Sequence, residues 1–257
     1  MTVDAPVMTW LITFILVMTR AAAFIAVAPP FSSRAIPIRV KTTLAFALAL
    51  PVTPLMVSKA PAMDTFSLII AIGFQLASGL TMGSIVLLLT SAIQAAGELI
   101  DLMSMFTMSS MLDPITNTNS SLFGRIQQII ATTLLFTSGG HLVIIRGFLT
   151  SFEATFQRAP DLGGLAELIA KDLSVFMVSA LEICGPVVVI LFCADLAMGL
   201  VSRAVPSLNI FQLSFPVKTT LTVALASVAV ALLPAAVSGV VDRAFGQIEP
   251  VAGFLGG

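Results

Sequence analysis

Along the chain, long apolar runs alternate with short stretches in which proline, glycine and charge gather. The runs predict six hydrophobic helices, at about 7–28, 40–57, 66–95, 122–149, 173–201 and 216–240. Each is close to or above the roughly 18 apolar residues that a helix needs to cross a hydrocarbon core of about 30 Å. The stretch from Thr9 to Val17 leads toward Ala21, Ala22 and Ala23 as a signal peptide would, but Asp4 precedes it without any lysine or arginine, and Arg20 interrupts the apolar region. It therefore reads as the first span.

The connections carry most of the punctuation. Pro29, Pro30 and Pro37 break the first one, which also holds Arg34, Arg39 and Lys41. The third, from Gly97 to Ile126, is polar at both ends and rich in methionine between them: Met103, Met105, Met108 and Met111 are spaced two and three apart, matching neither a strand nor a helix face. Their thioethers fit either ordinary core filling, the reading that the residues alone favour, or a seal around a pore for varied cargo. Asp113 and Pro114 then start a turn, and Asn117, Asn119, Ser120 and Ser121 offer caps for the next helix. The fourth, Thr150 to Asp172, mixes charge with Leu162, Leu165, Leu168 and Ile169, as an interfacial amphipathic helix does. The fifth carries Arg203, Pro206, Pro216 and Lys218, and its Arg203 to Pro206 echoes Arg34 to Pro37. If all six helices cross, the basic residues of the short first and fifth connections put those tips in the cytoplasm and both termini outside it.

Composition narrows the class. Of 257 residues, 58% are hydrophobic and 10% charged, and the mean hydropathy is +1.07, more apolar surface than a soluble domain of that length can bury. The chain reads as an all-α integral membrane protein. Twelve basic against thirteen acidic residues, with no basic cluster, exclude nucleic-acid binding. One histidine, His141, and two cysteines in a single apolar run supply too few soft ligands for zinc or haem, so neither a cofactor nor metal chemistry is expected. Cys184 and Cys193 are about 13.5 Å apart along a helix, too far for a disulfide.

Charge inside an apolar run is the remaining signal, and Arg20, Glu182 and Asp195 qualify. Pro186, four residues after Glu182, frees a carbonyl beside a carboxylate and predicts a kink, as in the broken-helix site of a secondary transporter for a small solute. The alternative is structural ion pairing, Arg20 with Asp195 for example. Glu182 and Asp195 lie about 220° apart around the helix, which favours the structural reading. Gly79 and Gly83 form a small-residue step for close helix packing. No nucleophile, base and orienter can be assembled, so no catalytic residue is assigned.

Taken in order, Arg20 with Ala28 and Pro29, Arg34 to Pro37 with Arg39, Ala96-Gly97-Glu98, Asp113-Pro114, Gly140-His141, Asp195 to Leu200 with Arg203, Pro206 and Asn209 to Phe211, and finally Phe215 to Lys218, resemble the FliR/SctT family of type III export-gate proteins. The likeness runs from the first span to the last, and its flagellar branch fits better than the injectisome one. It implies a non-enzymatic subunit that joins FliP and FliQ in the export gate of the flagellar basal body, in the bacterial inner membrane, with FlhB downstream and flagellar proteins in transit through the channel. Residues 1–149 would then be FliP-like, 150–172 a connection and 173–257 a FliQ-like hairpin, the helices packing as bent hairpins.

The loop at about 97–121 would correspond to the family's plug. Met103, Met105, Phe106, Met108 and Met111 would form an apolar seal, flanked by Glu98 and Asp113; family members often carry phenylalanine where this chain has Met108 and Met111, so the constriction is softer. Arg20, Glu182 and Asp195 would become inter-subunit contacts. Arg34, Arg39, Arg203 and Lys218 would mark cytoplasmic tips facing lipid headgroups or FlhB.

Overall fold

In a hydrocarbon environment every backbone N–H and C=O must find its partner within the protein, and a helix achieves this segment by segment. The computed structural model, which describes residues 5–33, 35–59, 65–106, 121–155, 162–207 and 209–254, is accordingly helical, with no strand among the described residues. Its α-helices are α1 Ala5–Val27, α2 Ile38–Met56, α3 Thr65–Met103, α4 Leu122–Thr137, α5 Gly140–Thr155, α6 Leu162–Ala204 and α7 Ile210–Phe254, and a single 3-10 turn, Val57–Lys59, follows α2. Five of them (α1, α2 with its turn, α3, α6 and α7) are long and apolar enough to cross a membrane.

The fourth apolar run is not one helix. It is α4 and α5, bent by 71° at their junction, and only together do they have the length of a span. Gly139 at φ +76° explains the break: it takes the left-handed conformation that ends a helix and that a side chain disfavours. The Ser138 N–H donates back to the Leu134 carbonyl at 2.8 Å, closing α4, and the Leu142 N–H donates to the Gly139 carbonyl at 2.9 Å, opening α5.

Three helices run further than hydropathy indicates. α3, α6 and α7 have 39, 43 and 45 residues, so at 1.5 Å per residue they rise about 58 to 68 Å, roughly twice a hydrocarbon core. α3 continues through Glu98 and Asp101, charged residues that read as the start of a loop. α6 absorbs the end of the amphipathic connection, since residues 162–172 belong to it, and it stays helical through Pro186. α7 begins not at Pro216 but after Asn209, whose side-chain oxygen accepts from the Gln212 N–H at 3.4 Å.

The chain forms two compact units, one of residues 1–89, 139–173 and 241–257, the other of 90–138 and 174–240. In the first, Leu16, Val17, Phe24 and Ile25 of α1 are buried, as are Ala45 and Ala49 of α2, Met82, Ile85 and Val86 of α3, and Ile144, Phe148 and Phe152 of α5. Phe24 and Phe148 stack at 4.4 Å, and Phe148 meets Phe152 edge-on at 5.2 Å. The core of the second unit is Ala96, Ile100, Phe123, Cys184, Val187, Leu191 and Ala229. Both cysteines are free. On α6 and α7, Leu181, Val189, Phe192, Leu196, Leu200 and Val223 are exposed, an apolar surface that suits lipid or neighbouring helices rather than water.

Candidate functional site

At the connection between α3 and α4 the described structure gathers Asp101, Ser104, Ser121, Asp195 and Lys218, all of them in the second unit. Any helix end leaves four backbone groups without intrahelical partners. At the end of α3 the four carbonyls are each accounted for. The Ile100 carbonyl accepts from the Ser104 N–H at 2.9 Å and the Leu102 carbonyl from the Met105 N–H at 3.4 Å. The Asp101 carbonyl accepts from the Ser104 hydroxyl at 3.0 Å, and the Met103 carbonyl from the Lys218 ammonium at 3.1 Å. Met105 lies at φ +65°, so the chain turns sharply off the helix there.

The start of α4 is held in the same manner. Ser121 is its N-cap: the hydroxyl oxygen accepts from the Gly124 N–H at 2.8 Å, and the carbonyl accepts from the Arg125 N–H at 3.2 Å. Asp101, 1% exposed, accepts at Oδ2 from the Ser121 hydroxyl and from the Phe123 N–H, the latter at 2.8 Å. Its Oδ1 is buried without a hydrogen-bond partner among the described residues. A carboxylate at a helix N-terminus is favoured by both the unpaired N–H groups and the dipole.

Glycine makes this reach possible. A Cβ on Gly97 would lie 2.5 Å from the Gly124 Cα, and one on Gly124 would lie 2.9 Å from the Glu98 Cγ, so α3 and α4 touch backbone to backbone. Beneath them Met103 and Phe106 pack on the unit's core, and the rings of Phe106 and Phe123 are 5.8 Å apart.

Lys218 closes the site from α7. It is 4% exposed, and its ammonium is 2.5 Å from Asp195 Oδ1 and donates to Oδ2 at 2.7 Å. This corrects two expectations: Lys218 lies inside a helix and not at a hairpin tip, and the partner of Asp195 is Lys218 and not Arg20. Arg20 is satisfied within the first unit. Its Nε donates to Gln75 Oε1 at 2.7 Å, its Nη1 to the Ser151 carbonyl at 3.3 Å, and its guanidinium carbon lies 4.5 Å from the centre of the Phe152 ring. There too glycine allows the approach, since a Cβ on Gly79 would lie 2.4 Å from the Arg20 carbonyl oxygen, and one on Gly83 3.0 Å from the Val27 Cβ.

The remaining expected residues divide. Glu182 is exposed on α6, not buried. Glu98 is exposed and accepts from the Gln94 side chain of its own helix at 2.8 Å; the carboxylate that reaches α4 is Asp101. Arg39 and Arg203 are exposed beside the connections they were assigned to. Met108, Met111, Asp113 and Arg34 lie outside the described residues. Sequence reasoning passed over Asp101 and Gln75. Only the second left a signal, an amide in the middle of an apolar run.

Over residues 11–244 the sequence matches the family described as bacterial export proteins, family 1. It is 31% identical over 210 residues to the flagellar biosynthetic protein FliR of Bacillus subtilis, a match covering 80% of this chain and 81% of that one. Against FliR of Escherichia coli the identity is 31% over 229 residues, covering 88% and 86%. The Yop proteins translocation protein T of Yersinia pestis is 25% identical over 217 residues, covering 82% and 83%. The family description is that of export proteins, and the Ala96-Gly97-Glu98 and Phe215 to Lys218 segments that prompted the resemblance flank or build the clamp at the α3–α4 connection. With a family match over nearly the whole chain and likeness to flagellar proteins over at least four-fifths of each chain, the chain belongs to the bacterial export proteins, family 1, the family of FliR.

Proposed function

We propose that this chain is a non-enzymatic structural subunit of the flagellar type III export gate, seated in the bacterial inner membrane, where it joins FliP and FliQ to form the channel for exported flagellar proteins. Residues 1–149 act as a FliP-like part and 173–257 as a FliQ-like hairpin, with 150–172 connecting them. The observation that carries this reading is at the two described ends of the α3–α4 connection, whose sequence is methionine-rich: the end of α3 and the start of α4 both have their backbone groups capped. A channel wide enough for unfolded protein leaks ions unless something closes it, and apolar side chains close it by excluding water without any charge to neutralise. Methionine suits cargo of varied shape because its unbranched thioether repacks. Met103, Met105, Phe106, Met108 and Met111 form the seal, and Glu98 and Asp113 flank it.

Exposed Glu182 serves as a contact to a neighbouring subunit. The Arg34, Arg39 and Arg203 connections face the cytoplasm, toward headgroups or FlhB; labelling of Ser33→Cys and Ser207→Cys from the periplasm alone would reverse that orientation.

Deleting residues 105–111 tests the seal. The complex with FliP and FliQ should still assemble, while membranes that overproduce it become permeable to small ions. An assembled deletion variant whose membranes stay tight overturns the seal, and a lone, monodisperse monomer that moves a solute into liposomes overturns the gate reading altogether.

A further inference from the structure

Three of the four carbonyls that end α3 are capped by residues three or four places further along the same chain, and such local bonds move with the loop they belong to. The fourth is different in kind. The Met103 carbonyl accepts from Lys218, 115 residues away on α7, and Lys218 is in turn held by Asp195 on α6. A lysine has three N–H donors and no acceptor. Here two acceptor groups, a carboxylate and a backbone carbonyl, converge on one ammonium that is almost fully buried.

The cost of burying the Lys218 ammonium calls for a reason beyond its pairing with the part-exposed Asp195, because apolar residues of similar volume often fill such a space without loss of stability. The carbonyl supplies the reason. It belongs to the last residue of α3, immediately before Ser104 and the left-handed turn at Met105.

We infer that Lys218 is a positioning residue of the gate: with Asp195 holding its ammonium, it pins the Met103 carbonyl to the α6–α7 hairpin and so fixes the point from which the seal departs. The inference rests on the gate reading above and adds to it a mechanical link, in which a displacement of α6 against α7 reaches the foot of the loop through a directional polar bond as well as through the apolar core. Asp101 and Ser121 hold the other foot by polar bonds between α3 and α4, and although both feet share the apolar core with the hairpin, the described polar tie from the hairpin to the connection is at the Met103 carbonyl.

The test compares Lys218→Met, Lys218→Arg, Asp195→Asn and the 105–111 deletion in the complex co-expressed with FliP and FliQ, reading both assembly and ion leak. Lys218→Met removes the donor at similar volume, and its leak should rise roughly tenfold or more over the parent, the factor by which losing one charge-assisted bond shifts a two-state foot. Lys218→Arg keeps a donor and Asp195→Asn keeps an acceptor, so both should stay tight. A tight Lys218→Met beside a leaking deletion overturns the tether and leaves the gate reading standing, and so does an Asp195→Asn complex that leaks as much as Lys218→Met, because the ion pair alone then matters. A deletion that does not leak removes the gate reading instead. In that case, or if Lys218→Met does not assemble, spin-label distances between Leu102→Cys and Val217→Cys, on a Cys193→Ser background, decide the tether. Lys218→Leu, which carries no donor, should broaden that distance distribution, and one as narrow as the parent's overturns it.

Discussion

Gly97→Ala is the smallest change that should undo the clamp. The new methyl group would lie 2.5 Å from the Gly124 Cα, 2.6 Å from the Gly124 nitrogen and 2.8 Å from the Phe123 carbonyl carbon, whereas ordinary contact begins at 3.4 Å. All three are backbone atoms in the first turn of α4, so no rotamer change relieves the clash, and the helices must separate by about 1 Å. That separation carries the Phe123 N–H away from Asp101 Oδ2, from 2.8 Å to beyond hydrogen-bond range. Overpacking costs about 1–3 kcal/mol and the lost charge-assisted bond about 1.5–3 kcal/mol; the better helix propensity of alanine returns about 1 kcal/mol. The net expectation is a loss of about 1.5–5 kcal/mol. Thermal unfolding of the detergent-solubilised protein reads it as a fall in Tm of roughly 3 °C or more. Gly73→Ala is the control, because nothing lies within 4 Å of its added Cβ, and it should be neutral or slightly stabilising. A Gly97→Ala variant that melts with the parent would refute the argument that α3 and α4 are held at backbone contact.

Two further substitutions separate the polar groups. Asp101→Ala should destabilise by about 2–3 kcal/mol in the same assay, because it strips an acceptor from the Phe123 N–H and the Ser121 hydroxyl, while Asp101→Asn keeps one oxygen in place and should lose less than half of that. Arg20→Lys should cost about 3 kcal/mol despite keeping the charge, since a single ammonium cannot reach Gln75 and Ser151 while lying flat on Phe152; equal unfolding temperatures for Arg20→Lys and the parent would show that the charge alone matters.

How much of the site was readable in the sequence depends on the range of the interaction. Ser121 was, because a cap acts on the helix that follows it within three residues. The Gly79 contact was readable as part of a small-residue step with Gly83, though not its partner, whereas Gly97 read only as the start of a connection. Asp101 was not: its acceptor role concerns α4, about 20 residues on, and nothing in the spacing of the α3–α4 connection announces it. Lys218 was misplaced for a related reason. Proline at 216 and a positive charge two residues later look like the end of a turn, and the helix start that competes with them, Asn209, is a weaker punctuation mark than proline.

What the sequence by itself determined is the helical, membrane-embedded class, the positions of most apolar segments and the family, because these follow from composition, hydropathy and ordered motifs, all of which are local or additive along the chain. What only the tertiary structure decided is where the helices end and which charges meet. Glu98 and Asp101 lie within α3 because their backbone continues to bond four residues back whatever their charge. Lys218 chose Asp195 and the Met103 carbonyl because folding set α7 beside α6 and the end of α3, and a buried ammonium takes the acceptors that packing brings within about 3 Å.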